Sequence, residues 1–340
     1  MAEWIIERGI GEHRAALIDG DTILEARILP DGELVAGSTV RARLIARMPE
    51  RGQGIVAWDG HEALVAPLPA GVTQGAECWV EITRPAIPEP GKPKRARARP
   101  VGGTSTPSPV RSERSREVEF STSFSTALET NGERRVLRVG DPDLLEAAGW
   151  SELLDEAATA MIRFPGGALS LHLTPAMTLI DIDGTLAPSA LSIAGTRAAA
   201  YAIRRLDISG SIGIDLPGTD KASRHAAAEA IDAILPQPFE RTAVNGFGFV
   251  QIVRPRRRRS LPEILAMEPA LAQARALLRR AERTGGAGER TIAAHPSVIT
   301  EIERRPDWIA ELARRIGTSV ALRPDPALAI SSGHVQARFA

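Results

Sequence analysis

The chain has 340 residues, with 42 basic and 42 acidic side chains and a formal net charge of zero. That length accommodates two or three small domains with cores of their own, and the balanced charge leaves any attraction for an anionic partner to local clustering. The single cysteine, Cys78, excludes an internal disulfide and a multi-cysteine zinc site; no apolar stretch reaches membrane-spanning length, and a start with acidic residues and no signal-type apolar core makes the cytoplasm the expected location.

In chain order, EWIIERG, HRAALIDGDTILEARIL and GSTVRARLIARM carry short apolar runs separated by turn residues, and Asp19-Gly20-Asp21 suits a hairpin turn. Strands continue through GQGIVAWDG, HEALVAPLP and AECWVEITRP. Five or so strands between Gly37 and Pro85 predict a small barrel of the OB type over residues 37–86. Residues 87–117 are then rich in Pro, Gly, Ser and Arg with little to bury, which predicts a linker. Its cluster Lys92, Lys94, Arg95, Arg97 and Arg99 is either a local positive field that contacts phosphates or a solvated linker.

Beyond the linker, EVEFSTSF and ERRVLRVG read as strands and PDLLEAAGWSELLDEAATAM as a helix. RFPGGALSLHLTPAMTLIDID predicts a hairpin turning at Pro165-Gly166-Gly167 and a further strand that ends at two aspartates. A helix (SIAGTRAAAYAIRRLD), a buried strand (SGSIGIDL), a second helix (DKASRHAAAEAIDAIL) and RTAVNGFGFVQIVRP, as two strands or one bent strand, complete an α/β pattern. The stretches from EPALAQARALLRRAERT to SVALRPD give helix, strand, helix, helix and strand, a small α+β domain over residues 267–340.

Asp181 and Asp183 are two residues apart, so on a strand they point to one face. Asp215 ends the next predicted strand, and carboxylates at neighbouring strand ends of an open α/β sheet sit where such folds bind ligands. Hard oxygen ligands of this kind suit Mg²⁺, which keeps waters and substrate phosphates in its shell. The structural alternative is three strand-end acids that cap loops.

Two families share parts of this pattern. LIDIDGTL matches the leading Asp-x-Asp-Gly-Thr motif of the haloacid dehalogenase phosphatases, which would make Asp181 a nucleophile and Asp183 a general acid; the later acidic pair of that family has no counterpart downstream. Over most of its length the chain instead resembles the ribonuclease E/G family, through FPGGALSLHLTPAMTLIDIDG, TRAAAYAIRRLDISGSIGIDL, NGFGFVQIVRPRRRRSL and the tail from RTIAAHPSVITEIER to RPDPAL, all in the family's order.

That resemblance implies a fold made of an S1/OB-type β-barrel inserted in a ribonuclease-H-like layer (residues 1–36 and 118–176), a DNase-I-like α/β catalytic subdomain (177–266) and the small C-terminal domain. It implies an Mg²⁺-dependent endoribonuclease that cleaves single-stranded RNA by metal-activated water to 5′-phosphate and 3′-hydroxyl ends. Asp181 and Asp215 would be the metal ligands, and Asp183 would stand where the family has Asn. Arg254, Arg256, Arg257, Arg258 and Arg259 would lie beside the acids and hold phosphates, with Lys94, Arg95 and Arg97 as further RNA contacts.

The departures are specific. Ile55 and the region of Leu64 stand where the barrel is expected to carry base-stacking aromatics, leaving Trp58 and Trp79 as its large rings, each read as structural. The zinc-linking cysteines are missing, so self-association would be without zinc, and a short Pro/Arg segment replaces the 5′-end sensor. A catalytically weak RNA-binding relative and the phosphatase are the alternative functions.

Overall fold

The computed structural model describes residues 2–86, 94–101, 133–218, 220–286 and 288–337. They divide into two units: Met1–Gly32, Gly132–Val253 and Ser260–Ala340 form one, and Glu33–Asn131 with Arg254–Arg259 form the other.

The first unit begins with an antiparallel meander of β1 (Glu3–Arg8), β2 (Glu12–Asp19) and β3 (Thr22–Pro30), whose β2–β3 hairpin turns at Gly20-Asp21 as expected. Gly20 has φ +64°, a left-handed conformation that glycine adopts without steric cost.

The second unit is a closed barrel of β4 (Thr39–Met48), β5 (Gln53–Trp58), β6 (His61–Val65), β7 (Glu77–Arg84) and β8 (Ala96–Pro100), in the order β4-β5-β6-β8-β7. Its core is built by alternation: Ala42, Leu44, Val56, Ala63, Val65, Val80, Ile82, Ala96 and Ala98 point inward. The barrel corrects the linker expected over residues 87–117. Ala96–Pro100 is its closing strand, parallel to β6 and antiparallel to β7. The sequence ARARP alternates alanine with arginine, so two small side chains fill the barrel while the arginines stay outside. Barrel closure pairs strand edges that would otherwise stay open. Residues 87–93, Lys92 among them, and 102–117 lie outside the described residues, as does EVEFSTSF.

Back in the first unit, β9 (Arg134–Leu137) pairs with β1 in parallel and completes a four-stranded sheet of order β3-β2-β1-β9. The single helix expected next is two, α1 (Leu144–Ala147) and α2 (Trp150–Thr159), separated at Gly149 with φ 90°. A six-stranded sheet follows, of order β10-β11-β12-β13-β15-β14, from β10 (Met161–Phe164), β11 (Gly167–Leu173), β12 (Thr178–Gly184), β13 (Gly210–Asp215), β14 (Glu240–Arg241) and β15 (Phe249–Arg254). A boundary at residue 176 would cut this sheet, because β11 pairs with β12 from Leu173↔Thr178 to Gly167↔Gly184. The hairpin at 161–173 therefore belongs with the aspartate strand and not with the four-stranded sheet.

Helices α3 (Pro188–Arg205) and α4 (Lys221–Ile234) are the crossovers of this sheet. Proline in the first turn and Arg204 and Arg205 in the last suit the α3 dipole, and the Asp220 carboxylate accepts from the Ser223 N–H at 2.8 Å as the α4 N-cap. Helix α3 packs on β11 and β12 and also on β3, so a helical layer separates the two sheets over one core that includes Ile18, Ile28, Ile180, Ile203 and Ile214.

The sequence reading omitted α5 (Leu261–Met267), which opens with a Ser260/Glu263 capping box. Helix α6 (Pro269–Arg283), β16 (Arg290–Ala294), α7 (Pro296–Glu303), α8 (Pro306–Ile316), β17 (Val320–Pro324) and a second omitted strand, β18 (His334–Ala337), form the C-terminal segment. Its three-stranded sheet, order β17-β16-β18, has a core of its own to which Ile10 contributes.

Candidate carboxylate site and basic surfaces

Strand β12 alternates by chemistry. Ile180 and Ile182 enter the core, and Asp181 and Asp183 face the other side of the sheet. The parallel register with β13 sets Asp181 opposite Asp215, and neighbouring strands lie about 4.8 Å apart. Two of the three predicted acids are thus brought together where the β12–β13 ladder ends, Asp215 closing its strand and Asp181 in the middle of β12, towards the carboxyl edge at which open α/β sheets bind ligands. Asp183 lies one pleat beyond that pair. Across β12 on its other side, Ser170 faces Asp181 and Ala168 faces Asp183, both small.

Asp181 is half-buried, while Asp183 and Asp215 are exposed. None of the three has an ion-pair or hydrogen-bond partner among the described residues. Nor does any group of three or more His, Cys, Asp or Glu side chains converge among the described residues to make a closed metal cage. The arrangement fits a hard cation that keeps much of its shell for water and phosphate, as Mg²⁺ does with one or two carboxylates.

Glycines shape the surroundings. A Cβ at Gly184 would stand 2.3 Å from the Gly166 carbonyl oxygen and 2.6 Å from Leu191 Cδ1. The glycine of the Asp-x-Asp-Gly-Thr match is therefore required by the β11–β12 pairing, where it faces Gly167. At Gly213, one pleat before Asp215, a Cβ would lie 2.5 Å from Phe249 Cζ and 3.0 Å from Leu179 Cδ2, so apolar side chains close over the strand beside the acids.

The barrel arginines lie on its outer surface. Arg95 bonds Glu62 at 2.6 Å and Arg99 bonds Glu81 at 2.8 Å. These pairs answer the local positive field expected of a linker with carboxylates across the ladder. Arg97 is exposed opposite Leu64, and Lys94 is exposed at the start of this segment. Ile55 and Leu64 are cross-strand partners on the same outer face. Trp58 packs on the barrel core and stacks on His61 with ring centroids 5.8 Å apart, while Trp79, half-buried, pairs across the ladder with Arg41.

The run Arg254–Arg259 belongs to the barrel's unit, whereas the three aspartates belong to the other. It is no solvated comb of guanidinium groups. Arg258 and Arg259 are buried, Arg259 bonds Glu33 at 2.6 Å, and the Arg257 carbonyl accepts from the Ala36 N–H. Burial, followed by the Arg258 charge, lowers the pKa of Arg257. Arg254 and Arg256 are half-buried.

An ion network that the sequence reading missed ties the four-stranded sheet to α6. Arg279 bonds Glu7 at 2.9 Å and Asp143 at 2.6 Å, Arg283 bonds Glu7 at 2.5 Å, and Arg14 approaches Glu12 at 3.2 Å. Burial disfavours the Glu7 carboxylate, but Arg14, Arg279 and Arg283 together outweigh it and hold its pKa below the ordinary value. At Glu12 burial wins over Arg14, Arg275 and Arg279, and the pKa is raised. Cavities of about 420 and 800 Å³ flank this network, and no residue of the aspartate strands lines either.

Compared with known proteins, the chain matches no protein-family model and no curated sequence. Geometry and chemistry carry its assignment.

Proposed function

We propose that the chain is an Mg²⁺-dependent endoribonuclease that cuts single-stranded RNA in the cytoplasm. The observation that carries this reading is the Asp181–Asp215 pair: two carboxylates in register on parallel strands, without ion-pair or hydrogen-bond partners among the described residues. A carboxylate pair left unpaired costs repulsion that a bound cation removes.

In this reading Asp181 and Asp215 hold the ion, and Asp183 orients a water or the scissile phosphate one pleat away. Mg²⁺ bound there supplies Lewis-acid activation of water and charge neutralisation on the phosphodiester. No side-chain nucleophile is then required, and the products are a 5′-phosphate and a 3′-hydroxyl. The barrel serves as the S1/OB-type RNA-binding element, the four-stranded sheet as the ribonuclease-H-like layer and the six-stranded sheet as the DNase-I-like catalytic part. Arg97 and Lys94, both exposed on the barrel's segment, are the basic contacts for RNA, and Arg254, Arg256, Arg257 and Arg258 act chiefly as a structural strap. Any self-association proceeds without zinc.

The test is incubation of a 5′-labelled single-stranded oligoribonucleotide with the full chain, with and without Mg²⁺, beside Asp181→Asn and Asp215→Asn. Metal-dependent internal cleavage that both substitutions abolish supports the proposal. RNA bound but never cut would make the chain a binding relative, and hydrolysis of small phosphate esters through a covalent Asp181 adduct would make it a phosphatase.

A further inference from the structure

The turn at residues 245–248 carries the most exposed large apolar side chain described, Phe247, at 93%. It is no frayed tip. The Asn245 side-chain oxygen accepts from the N–H groups of Phe247 at 2.9 Å and Phe249 at 3.1 Å, the Gly248 N–H donates to the Asn245 carbonyl, and the Asn245 N–H donates to the Phe249 carbonyl. Gly248 has φ +86°, and a Cβ there would stand 2.6 Å from the Leu216 carbonyl oxygen. Four hydrogen bonds and a glycine that admits no substitute thus fix the backbone of a turn that presents a phenyl ring to water.

The place of this ring is fixed by one backbone contact. The Leu216 N–H donates to the Gly248 carbonyl at 3.0 Å, so the residue after Asp215 is bonded to the residue after Phe247. The turn that carries the Phe247 ring is therefore joined through its backbone to the strand end that carries Asp215, on the same unit. It contributes no burial to the core, and folding gives no reason for phenylalanine at a turn position that any polar residue could occupy.

Resting on the ribonuclease reading, we propose that Phe247 is the stacking platform for a nucleobase adjoining the scissile phosphate. The phosphate would sit at Asp181 and Asp215, and the base attached to the neighbouring sugar would lie flat on the ring. Stacking uses the π-face that every base has, so the subsite tolerates all four bases. It also requires an unpaired base, because a paired base has its faces covered by its neighbours. The preference for single strands would thus be set beside the catalytic acids themselves. Phe247 is a substrate-positioning residue in this scheme.

The test measures equilibrium binding of a fluorescent single-stranded oligoribonucleotide to wild-type chain, Phe247→Ala and Phe247→Trp in EDTA, where cleavage is suppressed, and then cleavage with Mg²⁺. A series of oligonucleotides with one abasic position moved along the strand is bound to each chain. Phe247→Ala is expected to weaken binding about tenfold, the size of one base–aromatic stack, and Phe247→Trp to restore it. One abasic position should weaken wild-type binding by a like factor and have no effect on Phe247→Ala, because the two deletions remove one contact. That pattern supports the platform even if wild type fails to cut, in which case hydrolysis alone is wrong. Equal binding by wild type and Phe247→Ala overturns the platform, and hydrolysis then stands or falls on Asp181→Asn and Asp215→Asn. An absence of RNA binding by wild type, in EDTA and with Mg²⁺ alike, overturns both.

Discussion

Asp181 and Asp215 stand opposite each other across the parallel strands β12 and β13, and neither has an arginine or lysine to neutralise it among the described residues. Their mutual repulsion at about 5 Å in an exposed setting is about 1 kcal/mol. Asp181→Asn or Asp215→Asn should therefore leave the fold intact or slightly stabilised. Mg²⁺ should raise the thermal midpoint of wild type and do so less for either variant, because a ligand stabilises only the state that binds it. Thermal denaturation with and without Mg²⁺ checks this independently of activity. Asp183→Asn, which keeps a hydrogen-bonding group able to orient the water or phosphate, is expected to retain cleavage.

Gly184 meets backbone where a side chain would begin. Gly184→Ala should cost about 1–3 kcal/mol, the range of overpacked cores, since the obstacle is a carbonyl oxygen 2.3 Å away. Gly246→Ala, with nothing within 4 Å, should lie within about 0.5 kcal/mol of wild type. Urea denaturation separates the two. A large loss at Gly184 confirms that the phosphatase-like spelling of this strand is a packing requirement.

Glu7 is the keystone of the buried ion network. Glu7→Gln leaves the guanidinium groups of Arg279 and Arg283 short of their carboxylate and should cost about 3–5 kcal/mol at neutral pH. The pH dependence follows from the directions of shift. The Glu7 pKa is lowered from 4.5, so its stabilisation is present above pH 4.5 and is lost as pH falls through the lower folded value. Glu12 is shifted upward, so its contribution is full below pH 4.5 and fades as pH rises through the folded value. Unfolding free energy measured against pH should show the acid-side loss reduced in Glu7→Gln, and Glu12→Gln should remove the fade that sets in above pH 4.5.

On the barrel, two arginines two residues apart should behave differently toward RNA. Arg99 is held by Glu81, whereas Arg97 is exposed beside Leu64. Arg97→Ala should weaken binding of single-stranded RNA and lower the salt slope by about 0.7, the value of one phosphate contact on a single strand. Arg99→Ala should change neither measurably. Affinity titrations at several salt concentrations decide it.

The sequence made the aspartate strand legible because alternation within IDID is local, and a period of two needs no knowledge of distant residues. It made the pairing of Asp181 with Asp215 readable only as strand order; the register came from tertiary structure. Strand β8 was hidden because its inward residues are alanines and its outward ones arginines, so a composition typical of a linker masked a clean alternation. The Glu7–Arg279 bond joins residues 272 apart, and no local pattern reports such a pairing. The arginine run at 254–259 misled for the opposite reason. Like charges adjacent in sequence suggest a common field, yet Arg259 is claimed by Glu33 and Arg258 is buried.

Helix α3 packs on the face of the six-stranded sheet that carries Ile180 and Ile182, and the aspartates project from the other, where Asp183 and Asp215 are exposed among the described residues. Carboxylates that meet solvent along the side of a strand, as Asp183 and Asp215 do among the described residues, can receive a nucleic-acid strand laid across them sideways. No terminus has to be found or fed through an opening. A covalently closed circular RNA should therefore be cut as readily as a linear one of the same sequence, and gel analysis of the first product, a full-length linear strand, would show it.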